Sequence, residues 1–247
     1  MSYSIFITGA SSGIGKALAF EMARRGYDLG LAARRLDKLE ELREALNLKY
    51  PDRKVVLTTL DVTEYERIGQ VIREAARELG GIDIVFANAG VALAGRVGRD
   101  DFKLARQTIE TNLIGAMATV DAAVNYFLER GKGHIVATSS VAAFRGLPGN
   151  AAYCASKAGL TCYMEALRAE VHGKPIDITV LHPGFIDTPL NDMLPNRPFL
   201  ISAGKGAAII GQMIAKKVKS ATVPVFPWNI IKSVMQRLPI GLVAKMK

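Results

Sequence analysis

Apolar positions along the chain fall into short runs that alternate with longer amphipathic stretches. The short runs are β-prone and are bounded by polar, glycine or proline residues, which is typical of strands. The predicted strands are 3–8, 28–33, 54–60, 83–87, 133–138, 176–181 and 221–226. The longer stretches have helical periodicity, and the predicted helices are 14–25, 37–49, 64–79, 101–129, 152–172 and 203–218.

This regular alternation predicts an α/β fold, a doubly wound, mostly parallel seven-stranded sheet with helices on both faces. Runs such as 135–137 are apolar at every position, as expected for strands buried on both faces. Functional sites in such folds lie at the carboxyl ends of the strands. No Pro/Gly/Ser-rich linker divides the chain, so we expect one domain over residues 1–247. Thr63 followed by Glu66 predicts a capping box at the third helix.

A glycine-rich segment follows the first strand. Gly9, Gly13 and Gly15 have the spacing G-x-x-x-G-x-G, which differs from the general dinucleotide fingerprint G-x-G-x-x-G. A strand, a glycine turn and a helix N-terminus together form a phosphate cradle, in which backbone N–H groups face the anion. The pattern favours nucleotide binding, although a glycine turn can also serve only as a tight turn.

Tyr153 and Lys157 lie four residues apart in a predicted helix, so their side chains share one face. A free tyrosine has a pKa of about 10. A lysine charge about 4–5 Å away would lower that pKa by nearly three units at an effective dielectric constant of about 20. The phenol would then suit general acid–base catalysis near neutral pH. Ser140, upstream of this pair, could hold a substrate oxygen.

Together these motifs resemble the short-chain dehydrogenase/reductase family. They occur in the order and at the spacings of that family between about Ser4 and Leu190. The matching segments are 8–15, Asn88-Ala-Gly90, Asn112, Ser139-Ser140, Tyr153-x-x-x-Lys157, and Pro183-Gly184 with Thr188. The resemblance implies a Rossmann-type fold, a nicotinamide dinucleotide and hydride transfer to or from an alcohol or carbonyl substrate. It also implies a homo-oligomer, either a dimer or a tetramer.

The resemblance further implies a role for each matching residue. Tyr153 would exchange a proton with the substrate oxygen, Ser140 would orient that oxygen, and Lys157 would lower the tyrosine pKa and bind the nicotinamide ribose. Asn112, otherwise an ordinary mid-helix asparagine, would hold a water molecule for proton relay. We expect Ser139 to be structural, because strand alternation turns it to the opposite face. The implied cofactor-binding residues are Thr8, Gly9, Ser11, Ser12, Gly13, Ile14, Gly15, Arg34, Arg35, Asp61, Val62, Asn88, Ala89, Gly90, Tyr153, Lys157, Pro183, Gly184, Ile186 and Thr188.

The end of the second predicted strand indicates the choice of cofactor. NAD-binding sequences usually place a carboxylate there to bind the adenosine ribose, and here the position is Ala33, followed by Arg34 and Arg35. A 2′-phosphate would meet one or two guanidinium groups, so we predict NADP(H). The alternative is that both arginines are solvated turn residues. Ser12 also stands in the glycine turn where NADP-preferring family members often carry a basic residue.

The expected walls of the substrate site are Ala92-Leu93, 141–144, Phe185 and the loop 190–199. They are mostly apolar, without a charge obviously placed to bind an acid or a phosphate. We therefore predict a neutral, apolar alcohol or carbonyl substrate. The alternative function is a catalytically silent NADP(H)-binding sensor.

Composition narrows the class of protein. Hydrophobic residues make up 49% and charged residues 22%, as in globular domains. The three histidines are scattered, so we predict no metal site. Cys154 and Cys162 are separated by about 12 Å along one predicted helix, too far apart for a disulfide.

The chain enters its first strand at once and has no bilayer-spanning run, which favours a cytoplasmic protein. The net charge is +9, but without basic–aromatic interleaving we predict no nucleic-acid partner.

The end of the chain is basic. Residues 193–247 include nine Lys and Arg residues and no Asp or Glu. Within the C-terminal segment 228–247, a helical stripe of Ile231, Val234, Met235, Leu238 and Leu242 adjoins Trp228, and Pro239 is expected to break the helix. The stripe could pack on its own domain or a sister subunit. The other interpretation is peripheral contact with an anionic membrane.

Overall fold

The computed structural model describes residues 3–245, and it contains a seven-stranded sheet flanked by helices. The strands are β1 (Ser4–Thr8), β2 (Asp28–Ala33), β3 (Val55–Thr59), β4 (Ile84–Ala87), β5 (Gly133–Thr138), β6 (Ile176–Pro183) and β7 (Ser220–Val223). Their order is β3-β2-β1-β4-β5-β6-β7, and every neighbouring pair is parallel. The predicted fold class is confirmed.

Helices connect the strands across both faces of the sheet. They are α1 (Gly13–Arg24), α2 (Leu36–Lys49), α3 (Tyr65–Leu79), α4 (Phe102–Ile109), α5 (Gly115–Arg130), α6 (Ala151–Glu170), α7 (Ala203–Ala215), α8 (Trp228–Arg237) and α9 (Ile240–Val243). A π-helical turn, Glu110–Ile114, joins α4 to α5, and a 3₁₀ turn, Val141–Phe144, follows β5. No helix within residues 3–245 is both long and apolar enough to cross a membrane.

Two hydrophobic cores lie on opposite faces of the sheet. Alternate residues of β1 enter different cores, since Phe6 joins one cluster and Ile5 and Ile7 join the other. The Phe6 core includes buried side chains of α3, α5 and α6, whereas the Ile5 core includes those of α1, α2 and α7. Side chains of successive strand residues point to opposite faces. Burial on both faces is why the strands are apolar at nearly every position.

The structure departs from the predicted boundaries where local chemistry interrupts the pattern. β7 ends at Val223 rather than at 226, because Pro224 has no N–H to donate to the sheet. α7 ends before 218, where Lys217 adopts a left-handed φ of 50°. The capping-box prediction is wrong. The Thr63 hydroxyl donates to Asp61 Oδ1 at 2.9 Å instead of capping α3.

His134 and His182 are buried in the sheet, and this burial makes stability depend on pH. Burial lowers the pKa of each from 6.5 to about 4, while the charges of Asp177 and Lys217 act on His134 in opposite directions. Between these two values the unfolded chain binds a proton that the folded chain does not. We therefore expect the free energy of unfolding to fall, as pH drops from 6.5 to 4, by about 1.4 kcal/mol per pH unit for each histidine.

Urea unfolding across this pH range measures that slope. His134→Gln keeps a polar group near Thr179 Oγ1, which lies 2.8 Å from His134 Nε2, but removes one titrating group. The variant should therefore lower the slope by about 1.4 kcal/mol per pH unit. His172→Gln changes an exposed histidine and is the matched control. An unchanged slope in His134→Gln would contradict the prediction.

Candidate active site

A cavity of about 860 Å³ opens at the carboxyl ends of β1, β4, β5 and β6. Its inner part is lined by the glycine turn after β1, by Asn88 and Gly90 after β4, and by Ser140 after β5. Tyr153 and Lys157 of α6 form another wall, and Pro183 and the residues after it close the far side. Residues from distant parts of the sequence thus meet at one edge of the sheet.

Ser140, Tyr153 and Lys157 converge in this cavity. The two α6 residues lie one turn apart, and Lys157 Nζ is 5.8 Å from the centroid of the Tyr153 ring. The Ser140 hydroxyl is close enough to the Tyr153 phenol to influence its pKa, and the Ser140 Oγ accepts a hydrogen bond from the backbone N–H of Ala142 at 3.1 Å. Lys157 is 4% exposed, and its Nζ donates to the Thr138 carbonyl at 2.8 Å.

Burial shifts both titrating groups towards their neutral forms. It raises the pKa of the Tyr153 phenol, and the neighbouring Ser140 hydroxyl opposes this only in part. Burial also lowers the pKa of Lys157 from 10.5 to about 8. The prediction of a lowered Tyr153 pKa is therefore wrong for this structure, because desolvation is the largest influence on both groups.

Asn112 lies in the π-helical turn, a feature that often marks functional sites. Its amide exchanges two hydrogen bonds with the Val91 backbone, donating to the carbonyl at 2.8 Å and accepting from the N–H at 2.7 Å. A β-carbon at Gly90 would lie 3.1 Å from Asn112 Oδ1 and 3.6 Å from Lys157 Nζ. Through these hydrogen bonds, Asn112 holds the segment Gly90–Val91 close to Lys157.

Ser139 has a different environment from Ser140. Its hydroxyl donates to the Lys157 carbonyl at 2.9 Å and lies 2.8 Å from the Thr161 hydroxyl. The side chain therefore ties β5 to α6, in agreement with the structural role expected from strand alternation.

The glycine turn has the geometry of an anion site. Gly9 and Gly13 have φ values of 68° and 56°, a backbone conformation that residues with a side chain rarely adopt. A β-carbon at Gly15 would overlap the Gly9 carbonyl oxygen, so glycine is needed for the close approach of α1 to the turn. The first N–H groups of α1 have no partner within the helix and are available to an anion at the end of the cavity that Ser12, Gly13 and Ile14 line. These residues fit a dinucleotide pyrophosphate.

Hydrogen bonds fix this turn to the end of β4. The Thr8 hydroxyl accepts from the backbone N–H groups of Asn88 at 3.0 Å and Ala89 at 3.2 Å. The Asn88 amide in turn donates to the Thr8 carbonyl at 3.0 Å. Thr8 and Ala89 therefore support the cavity from behind.

Comparison with known proteins agrees with this architecture. Residues 4–197 match the family described as short chain dehydrogenase. The chain belongs to the short-chain dehydrogenase family. It is 41% identical over 236 residues to an uncharacterized oxidoreductase of Mycobacterium tuberculosis, covering 95% of this chain and 93% of the relative. This family membership makes the protein an oxidoreductase.

Solved structures of the family show the same fold. An alcohol dehydrogenase from the archaeon Thermococcus sibiricus, complexed with 5-hydroxy-NADP, is 27% identical, with a TM-score of 0.80 over 96% of this chain and 99% of the other. A short-chain dehydrogenase/reductase from Burkholderia phymatum, in complex with NAD, is 22% identical, with a TM-score of 0.87 over 98% of this chain and 95% of the other. The second likeness shows the fold alone.

In this short-chain dehydrogenase, one of the two basic residues after β2 contacts the glycine turn and the other pairs with Asp61. Arg35 Nη2 donates to Ser11 Oγ at 3.0 Å, and Arg34 Nη1 lies 3.6 Å from Asp61 Oδ2. Ala33 is 6% exposed at the end of β2. A guanidinium therefore reaches the glycine turn from β2, although Ser12 itself is not basic. Val62 lies elsewhere, buried against Gly115 of α5.

The segment after β6 and the helix α8 complete the cavity of the dehydrogenase. Its lining includes Pro183, Gly184, Ile186 and Thr188. A β-carbon at Gly184 would overlap the Trp228 indole, so the glycine permits α8 to pack here. The predicted wall residues that line the cavity are Ala92, Val141, Ala142, Phe185, Leu190, Asn191, Leu194, Asn196, Pro198 and Phe199.

Sequence reasoning missed part of this lining. Trp228, Ile231, Met235 and Leu238 of the C-terminal segment wall the cavity, and so does Lys245. The apolar stripe in the sequence indicated that one face of this segment is buried, but it did not indicate which part of the protein that face packs against. Lys245 is also a charged residue that the sequence analysis did not predict in the cavity lining.

Proposed function

We propose that the protein is an NADP(H)-dependent oxidoreductase that transfers a hydride between the nicotinamide and a neutral, apolar alcohol or carbonyl compound. Tyr153 is its general acid and base. The observation that carries the proposal is the convergence of Ser140, Tyr153 and Lys157 in a cavity that ends at a glycine turn suited to pyrophosphate.

The residues of the chain have separate tasks. When bound, the nicotinamide supplies the hydride donor or acceptor. Ser140 holds the substrate oxygen, and Tyr153 gives it a proton during reduction or takes one during oxidation. Burial raises the phenol pKa, so the resting group carries the proton that reduction requires. Lys157 has donors besides the one used by Thr138, and these can bind the ribose hydroxyls. Asn112 positions the segment that faces Lys157.

The cavity lining supports an apolar substrate. Among residues 3–245, those that line the cavity include no carboxylate, and the walls are largely Leu, Ile, Val, Phe and Trp side chains. Its cations are Lys157 and the exposed Lys245. We also expect a homo-oligomer, dimer or tetramer.

A catalytically silent NADP(H) sensor is the alternative. The presence of all four implied catalytic residues, Asn112, Ser140, Tyr153 and Lys157, argues for an enzyme. A screen of aldehydes, ketones and alcohols that follows NADPH absorbance tests the proposal. Turnover of any apolar member supports it. Tight NADPH binding without turnover across the whole screen would favour the sensor.

We expect the unmodified protein to prefer NADP(H) over NAD(H). Arg34 and Arg35 lie beside the predicted adenosine site, and a charge-assisted hydrogen bond to the 2′-phosphate contributes about 1.5–3 kcal/mol, or roughly 10- to 150-fold. Arg34→Ala, Arg35→Ala or Ala33→Asp should each reduce the ratio of the two affinities by about tenfold or more.

Titration of each cofactor against the fluorescence of Trp228, the one tryptophan of the chain, gives both dissociation constants. Arg43→Ala removes an exposed arginine from α2 without approaching the glycine turn, and it controls for net charge. Equal affinity of the unmodified protein for both cofactors would contradict the prediction.

A further inference from the structure

Six large apolar side chains near the C-terminus are exposed. We call them the tail surface, and they are 48–75% exposed: Val225, Phe226, Ile230, Val234, Ile240 and Leu242. The opposite side of the same segment is buried, since Trp228, Met235 and Val243 are at most 7% exposed. Burial of the inner face anchors α8 and α9 to the protein while their outer face stays accessible.

The tail surface lies in the part of the chain that carries the net charge. Residues 193–247 contain nine basic residues and no acid, whereas the rest of the sequence is balanced, with 23 basic and 23 acidic residues. Arg237 and Lys245 are exposed beside the apolar side chains. The surface therefore combines apolar contact area with positive charge.

The tail surface is continuous with the mouth of the cavity. Val234 belongs to both, because it lines the cavity and is 53% exposed. In the loop after β6, Leu190, Leu194 and Phe199 also line the cavity and are 44–53% exposed. The Phe199 ring meets the Trp228 ring edge-on, with 5.9 Å between the ring centroids, and this contact joins the loop to α8. The exposed part of the cavity lining thus carries apolar side chains from both the loop 190–199 and α8, beside the polar Asn196 and the basic Lys245.

We propose that the tail surface docks reversibly on an anionic lipid bilayer, with the cavity mouth facing the membrane so that apolar substrates enter from the lipid. The substrate part of this proposal rests on the proposed function. An apolar face flanked by Lys and Arg is the composition that binds at such an interface. Screening by salt should weaken the attachment.

Charge complementarity favours lipid over a second copy of the chain. In a two-fold symmetric dimer a surface packs against itself. The tail surface would then bring two basic, acid-free segments together, and like charges would oppose the contact. Anionic headgroups supply the missing negative charge.

Co-sedimentation with lipid vesicles tests the docking. We expect the protein to pellet at low salt with vesicles that contain phosphatidylglycerol, and to stay in solution with pure phosphatidylcholine. Ile240→Glu should reduce the bound fraction at least about tenfold. Leu48→Glu introduces the same change at a side chain that is 89% exposed on α2, and it should bind as the unmodified protein does. Ile240 lies outside the cavity lining, so NADPH affinity should be the same in all three proteins.

Three outcomes would overturn the proposal. The protein could remain in the supernatant with anionic vesicles, or Leu48→Glu could lose binding as fully as Ile240→Glu. Ile240→Glu could instead lower the molar mass in light scattering without any vesicle effect, which would make the tail surface a subunit contact. Sedimentation does not depend on turnover, so failure of the proposed function would be seen separately.

Discussion

Tyr153→Phe should lower turnover by about a thousandfold while leaving the affinity for NADPH nearly unchanged. A positioned general acid contributes about 10²–10⁴ in rate, and phenylalanine keeps the ring but has no proton to exchange. The phenol acts on the substrate oxygen, so the contacts that hold the dinucleotide remain. Steady-state rates with any ketone found in the screen, together with Trp228 fluorescence titrations, measure the two quantities.

Tyr163→Phe is the matched control for this variant. Tyr163 belongs to the same helix but packs against the hydrophobic core, so its hydroxyl has no access to the reacting groups. We expect near-normal rates from it. Substantial activity in Tyr153→Phe would show that another group transfers the proton.

Lys157→Met should abolish turnover, weaken NADPH binding and yet stabilise the folded protein. Burial lowers the pKa of Lys157 from 10.5 to about 8, so the folded state holds this proton less tightly than the unfolded chain does. Burial of the charged ammonium therefore lowers the free energy of unfolding, fully below pH 8 and not at all above pH 10.5. At neutral pH this destabilisation is about 3 kcal/mol. Methionine has a similar volume and no charge, so the substitution removes the destabilisation without leaving a cavity. Loss of the hydrogen bond to Thr138 offsets part of the gain, so we expect about 1–3 kcal/mol.

Urea unfolding at neutral pH measures the gain, which should shrink as the pH approaches 10.5. Lys174→Met replaces an exposed lysine and should leave stability and activity unchanged. A Lys157→Met protein that is less stable than the parent would show that the lysine stabilises the core. Retained NADPH affinity would show that the ammonium does not bind the cofactor.

The parts of this fold that the sequence predicts are the local ones. The strands are apolar on both faces and are bounded by turn residues, so their positions follow from periodicity alone. The glycine turn and the Tyr153–Lys157 spacing are equally local. The π-helical turn within the predicted helix 101–129 has no comparable signal, because α4 before it is short and buries only Thr108, too few positions to show a shift in the phase of the apolar stripe.

Features that depend on distant packing could not be predicted in this way. The Tyr153 and Lys157 pKa values follow from burial by several elements, which a distance between two charges omits. At the C-terminus, the predicted stripe continued through Leu242. The chain instead ends α8 before Pro239 and begins α9 in a new register, so Val243 is buried and Leu242 is half exposed.

The π-helical turn at Glu110–Ile114 makes this part of the chain sensitive to its length. Each helical residue turns the chain by about 100°, so deletion of one residue would rotate everything after the turn by that angle. Either Val120 and Phe127 of α5, which are fully buried, would turn out of the core, or Asn112 would lose its hydrogen bonds to the Val91 backbone. Homologues can therefore change the length of their surface loops, but the number of residues between Asn112 and the buried side chains of α5 should be inherited as a fixed interval.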